Sequence, residues 1–154
     1  GLSARQGVLE ALEHSALVRG RPFLGICVGM QLLADRGHEF GLHPGLGWIA
    51  GDVHPLDAMD GLVRIPHMGW NRVHHNSSHP LWQDIDEGSR FYFVHSYYMD
   101  PAQTDIILAT TDYGIEFVSA IGRDNVFAVQ FHPEKSARDG LQLLKNFAHW
   151  DGQI

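Results

Sequence analysis

Pro22-Phe23-Leu24-Gly25-Ile26-Cys27-Val28-Gly29-Met30-Gln31-Leu32-Leu33 is the stretch on which the reading of this chain turns. It opens as a short apolar run, Pro22 to Cys27, of the kind that forms a buried strand, and continues as a helix from Val28 to about Asp35, stopped by Gly37. At the junction, Gly25-Ile26-Cys27-Val28-Gly29 has the form G-x-C-x-G, the thiol counterpart of the G-x-S-x-G nucleophile elbow. A sharp strand-to-helix turn holds the nucleophile in a strained conformation with its side chain out of the sheet. The flanking glycines are expected to remove Cβ atoms that would collide with strand and helix. The unsatisfied N–H groups of a starting helix favour the thiolate, which predicts a lowered Cys27 pKa and makes the Val28 N–H an oxyanion donor. Gln31, four residues on, shares that face and is suited to a substrate amide or carboxylate.

Outward from this turn, the preceding residues 4–18 read as a helix capped by Ser3, with Val8, Leu12 and Ala16 on one face and Gly20 at its end. The segment 37–47, rich in Gly and His, reads as a loop. Strands are expected over 48–54, 62–65, 68–74, 90–98, 105–111, 115–122 and 125–131. Tyr113-Gly114 and Asp124-Asn125 mark hairpin turns between the last three. A final helix begins near Ser136, with Asp139 completing a capping-box variant and Ala137, Leu141, Leu144 and Ala148 on one face. The fold class is therefore α/β, with helices flanking a mixed, mostly parallel sheet and a short antiparallel strand region. A helix with no strand before it is unusual for such a fold, so the chain reads as one domain over 1–154 that is N-terminally incomplete.

Composition narrows the function. The 154 residues are 44% hydrophobic and 19% charged, which suits a globular domain. A net charge of −7 argues against nucleic acid or an anionic membrane as partner. No apolar run reaches the length of a membrane span. The one cysteine excludes an intrachain disulfide and fits a reducing, cytoplasmic setting. Pairs such as His74-His75 and His38/His43 lack the ligand spacing of a zinc site, so no metal and no cofactor are expected.

A second motif lies at the far end. The strand Phe127-Ala128-Val129-Gln130-Phe131 runs into His132-Pro133-Glu134. A histidine there sits at a sheet edge, where open α/β sites form. Pro133 fixes its own φ and pushes His132 toward extended backbone. Glu134 can then reach one ring nitrogen and leave the other to face a thiol. Cys27, His132 and Glu134 are thus the candidate nucleophile, base and orienting acid.

These residues carry a resemblance. Pro22 to Leu33 resembles the nucleophile segment of the class I, triad-type glutamine amidotransferases, a flavodoxin-like fold, and Phe131-His132-Pro133-Glu134-Lys135-Ser136 resembles their closing motif. Pro66-His67-Met68-Gly69-Trp70-Asn71 and Phe91-Tyr92-Phe93-Val94-His95-Ser96-Tyr97-Tyr98 are similar to the glutaminase subunits of imidazole glycerol phosphate synthases, and Met30 agrees. The resemblance implies L-glutamine as substrate, with Val28, Gln31, Ser96 and Tyr97 holding it. It implies ammonia passed to a (β/α)₈-barrel cyclase subunit in a heterodimer serving histidine biosynthesis. Trp70 is then a candidate anchor of the partner-facing surface. That family has about fifty more residues upstream, including a loop that supplies an oxyanion donor, so this chain alone is expected to be weakly active or inactive. Three alternatives stay open at this stage. One is the glutaminase of pyridoxal phosphate synthesis; another is a catalytically dead binding module. The third is a broader cysteine hydrolase or redox-sensing fold, which lacks the His-x-Glu ending.

Overall fold

The computed structural model describes residues 2–38, 41–75 and 77–154, with side chains from Gln6 onward. The side chain of Ser3, the expected cap, and positions 39–40 of the expected loop lie outside what is described. Helix α1 (Leu2–Glu13) passes through one π turn (His14–Val18) to Gly20, whose positive φ of 67° closes it. Strand β1 (Phe23–Ile26) and the single-turn helix α2 (Val28–Gln31) follow, then β2 (Arg36–Gly37), β3 (His43–Pro44) and β4 (Gly51–Pro55). Next come β5 (His67–Arg72), β6 (His74–His75), β7 (Arg90–His95) and β8 (Tyr97–Pro101). The chain closes with β9 (Ile107–Tyr113), β10 (Ile115–Arg123), β11 (Val126–Val129) and α3 (Ala137–His149).

Three sheets result, in the orders β1-β11-β10-β9-β6, β3-β2-β4-β8 and β5-β7. The mixed α/β architecture is as expected, but the balance of strand directions differs. Among the described residues only β1/β11 and β2/β4 pair in parallel; the other ladders are antiparallel. The reason is local: β9, β10 and β11 are joined by tight turns at Gly114 (φ 80°) and Asp124 (φ 52°), and such short connections permit only antiparallel neighbours. The run 90–98 is two strands, β7 against β5 and β8 against β4, with Ser96 at the change of sheet. Residues 62–65 form no strand; Gly61, Leu62 and Val63 donate their N–H groups back to Ala58 and Met59 in a turn.

Strand β11 is buried on both faces. Phe127 and Val129 face a core with Phe91, Phe93, Phe117 and Phe131, while Val126 and Ala128 face Met30, Trp48, Ile49 and Met99. That is the period-two alternation of a strand sandwiched between layers. Helix α3 lies on the first layer, but not by the expected face. Leu141 is exposed, while Gly140 and Leu143 are buried and Phe147 packs on the core. Contact at Gly140 sets this rotation, because a Cβ there would lie 1.9 Å from the Pro133 carbonyl oxygen. Of the stripe expected on α1, only Ala16 is buried. This segment is tied down at its C-terminal end, where Asn125 Nδ2 donates to the carbonyls of Ala16 (2.7 Å) and Arg21 (2.6 Å). No helix among the described residues is long and apolar enough to cross a membrane.

Candidate active site

Parallel pairing of β1 with β11 assembles the candidate site. Ile26 stands opposite Val129, so Cys27 and the segment Gln130–Glu134 leave the same edge of the sheet side by side. The Cys27 N–H donates to the Val129 carbonyl at 2.8 Å, which extends the ladder through the corner. There the backbone turns sharply, with Cys27 at φ 53° and ψ −107°, a conformation sparsely populated outside glycine. Gly25 is needed at this corner: a Cβ on it would meet the Gly29 carbonyl oxygen at 3.0 Å. Gly29 itself has open space where a Cβ would point, so only one of the two flanking glycines answers a steric demand.

The expected lowering of the Cys27 pKa is not found. Burial pushes the thiol up, the sulfur's residue being only 7% exposed. The Val28 N–H and the Gln130 side chain pull it down, the Glu134 charge pushes it up, and Lys135 opposes that. A one-turn helix carries too little aligned dipole to reverse the desolvation. The thiol lies 3.8 Å from the Val94 carbonyl, a contact suited to its protonated form.

His132 is extended, at φ −105° and ψ 96°, as the following proline requires. Its Nδ1 meets Glu134 Oε1 at 2.5 Å across the turn Pro133–Lys135. Its backbone is clamped as well. The His132 N–H donates to the Tyr92 carbonyl at 2.9 Å. Ser136 Oγ donates to the His132 carbonyl at 2.6 Å and accepts from the Tyr92 N–H at 2.9 Å. Ser136 therefore does not cap α3 with its side chain, as the sequence suggested; β7 claims it instead.

Val28, Gln31 and Tyr97 line a cavity of about 210 Å³ together with Leu32, Gly37 and His38. Ser96 does not line it; its carbonyl accepts from the Leu56 N–H at 2.9 Å. Gln31 Nε2 donates to the Tyr97 carbonyl (3.1 Å) and to Gln130 Oε1 (3.2 Å), and Gln130 Nε2 donates to Cys27 Sγ (3.4 Å). With both amide hydrogens committed, Gln31 offers a ligand its Oε1, an acceptor. That suits an ammonium or amide N–H and removes the carboxylate from the expected alternatives. The link through Gln130 was missed from sequence, although an amide in an otherwise apolar run at the end of β11 was the available signal. Also unforeseen, His38, Asp52 and His54 bring potential ligand atoms within 4.8 Å of one another, but Asp52 is paired with Arg36 at 2.8 Å.

Residues 2–150 match the family described as Glutamine amidotransferase class-I. The chain is 52% identical over 151 residues to the imidazole glycerol phosphate synthase subunit HisH of Rhodospirillum rubrum, covering 97% of this chain and 71% of that protein. It is 54% identical to the HisH subunit of Acinetobacter baylyi, covering 98% and 77%. Among solved structures, it resembles a GMP synthase subunit from Thermoplasma acidophilum, with a TM-score of 0.62 at 20% identity, covering 90% of this chain and 61% of that one. A glutamine amidotransferase from Thermotoga maritima gives a TM-score of 0.60 at 18% identity, covering 96% and 54%. The chain thus spans less than two thirds of either solved structure, and at these identities the likeness is one of fold.

Proposed function

Because this chain belongs to the class I glutamine amidotransferase family and groups there with the HisH subunits of imidazole glycerol phosphate synthase, we propose that it is a glutaminase feeding ammonia to a cyclase in histidine biosynthesis. The Cys27 thiolate adds to the side-chain amide carbon of glutamine, and the developing oxyanion is met by the Val28 N–H. His132, holding the proton taken from the thiol, gives it to the departing nitrogen, and the C–N bond breaks to release ammonia. Water then attacks the glutamyl thioester, losing a proton to His132. Glutamate leaves, and the thiol is restored. Glu134 holds the imidazole tautomer and offsets its charge while it is protonated. Glutamine reaches the thiol from the cavity of Val28, Gln31 and Tyr97.

The observation that supports this reading is the β1/β11 register, by which the strained Cys27 corner and the segment carrying the His132–Glu134 pair leave the sheet at the same edge. The partner is a (β/α)₈-barrel cyclase, and the reducing cytoplasm suits a free thiol nucleophile. Cys27→Ser in complex with the cyclase is the test. Glutamine-dependent product formation should be abolished, while synthesis from added ammonia continues. Loss of both activities would mean that the two reactions do not occupy separate sites, and the proposal would fail.

A further inference from the structure

A chain of hydrogen-bonded side chains, with two buried histidines at its centre, runs from β5 to the cavity of Gln31 and Tyr97 and takes no part in the proposed reaction. His95 Nδ1 lies 2.7 Å from the Tyr97 carbonyl oxygen. A carbonyl only accepts, so Nδ1 carries the proton, and in a neutral ring Nε2 is then an acceptor. His67 Nδ1 lies 3.0 Å from that Nε2 and must donate to it. The His67 Nε2, now an acceptor, receives one hydrogen of Asn71 Nδ2 at 3.2 Å. The other Asn71 hydrogen goes to the Asp112 carbonyl at 2.8 Å, and Asn71 Oδ1 accepts from the Arg72 N–H at 2.7 Å. Every donor meets an acceptor, and the polarity runs one way, from Asn71 to Tyr97. Both histidines are nearly sealed, at 3% and 6% exposure, and burial depresses both to a pKa of about 4, which keeps them neutral. His67 is further fixed between the rings of Phe93 and Tyr113, at 4.7 and 3.9 Å.

The geometry points to Asn71, His67 and His95 as positioning residues for glutamine: a relay of fixed polarity that sets the Tyr97 carbonyl, and through it the Gln31 amide, which Gln130 links to the thiol. The inference rests on the proposed glutaminase reaction. The Tyr97 carbonyl accepts both from His95 and from Gln31, so its place is determined from behind by the relay and sensed in front by the residue that lines the cavity. Breaking the relay should weaken glutamine binding more than it slows the chemistry at Cys27.

Two measurements test this. Long-range ¹⁵N–¹H correlation of the imidazoles at pH 7 should show both His67 and His95 as Nδ1–H tautomers, the form a free imidazole disfavours. A protonated ring or an Nε2–H tautomer at either position overturns the relay without any variant being made. The second, made in complex with the cyclase, is labelling of Cys27 by a glutamine-analogue chloroketone, whose half-saturating concentration and limiting rate are read separately. His67→Phe keeps the stacking and breaks the relay; it should raise the half-saturating concentration about ten-fold and leave the limiting rate within about two-fold. His67→Gln, whose amide can both donate and accept, should recover most of the loss. An unchanged half-saturating concentration in His67→Phe, or a Gln variant no better than Phe, overturns the positioning role. Failure of the unaltered protein to be labelled at all would instead sink the glutaminase reading, and the inference with it.

Discussion

At Cys27 two demands compete, and burial prevails: desolvation raises the thiol against the pull of the Val28 N–H and Gln130. The rate of alkylation by iodoacetamide should therefore reach half its maximum above the pH of an ordinary thiol, since only the thiolate reacts. Glu134 contributes to that rise through its charge. Glu134→Gln should move the alkylation midpoint to lower pH while reducing glutamine turnover, less severely than Cys27→Ser does, if His132 is the base that Glu134 orients, as proposed. A midpoint that does not fall would remove Glu134 from the neighbourhood of the sulfur. Cys27, His132, Glu134, Val28, Gln31 and Tyr97 could be proposed from sequence because each belongs to a short motif. Gln130, Tyr92 and Ser136 could not, because their roles arise from strand neighbours distant in sequence.

Among the elements, the turn Pro133–Lys135 and helix α3 behave as one unit. The carbonyl of Pro133 occupies the space over Gly140, and Ser136 joins the same turn to β7. Gly140→Ala would force a methyl within 1.9 Å of that carbonyl and 2.8 Å of the Ser136 Cβ. We expect a loss of about 1–3 kcal/mol in urea unfolding, from overpacking against backbone. Turnover should fall beyond what the lost stability explains, because the shift is passed to His132. Normal turnover in a variant that is destabilised but folded would show that the helix does not hold the base in place. The helix's existence was legible in its apolar spacing, but its rotation was not. Spacing gives a repeat, and the phase was set by one close approach.

At the scale of the molecule, three histidines among the described residues are buried neutral. His67, His79 and His95 each fall to a pKa of about 4, with burial the first cause in every case. The unfolded chain binds their protons near pH 6.5, while the folded chain does not until about pH 4. Stability is thus complete above about pH 6.5 and is lost progressively as pH falls toward 4. His79 Nδ1 accepts from the Leu81 N–H at 3.1 Å, a role an asparagine side chain can take. His79→Asn should therefore flatten the slope of unfolding free energy against pH in that window by up to about 1.4 kcal/mol per unit. Urea midpoints taken from pH 7 to pH 4.5 measure it, and a slope equal to that of the unaltered chain would contradict the buried neutral state.

The sequence by itself determined the chemistry carried by contiguous residues: a thiol in a G-x-C-x-G corner, a histidine stiffened by the following proline with a carboxylate beside it, and hairpins at Tyr113-Gly114 and Asp124-Asn125. Local sterics and hydrogen-bonding rules suffice for these. Only the tertiary structure decided that β1 pairs in parallel with β11, that Gln130 reaches the sulfur, that burial outweighs the helix at the thiol, and that two histidines line up behind Tyr97. Those outcomes depend on which distant strands share a register and how much water they exclude, and neither quantity is encoded in a local stretch of chain.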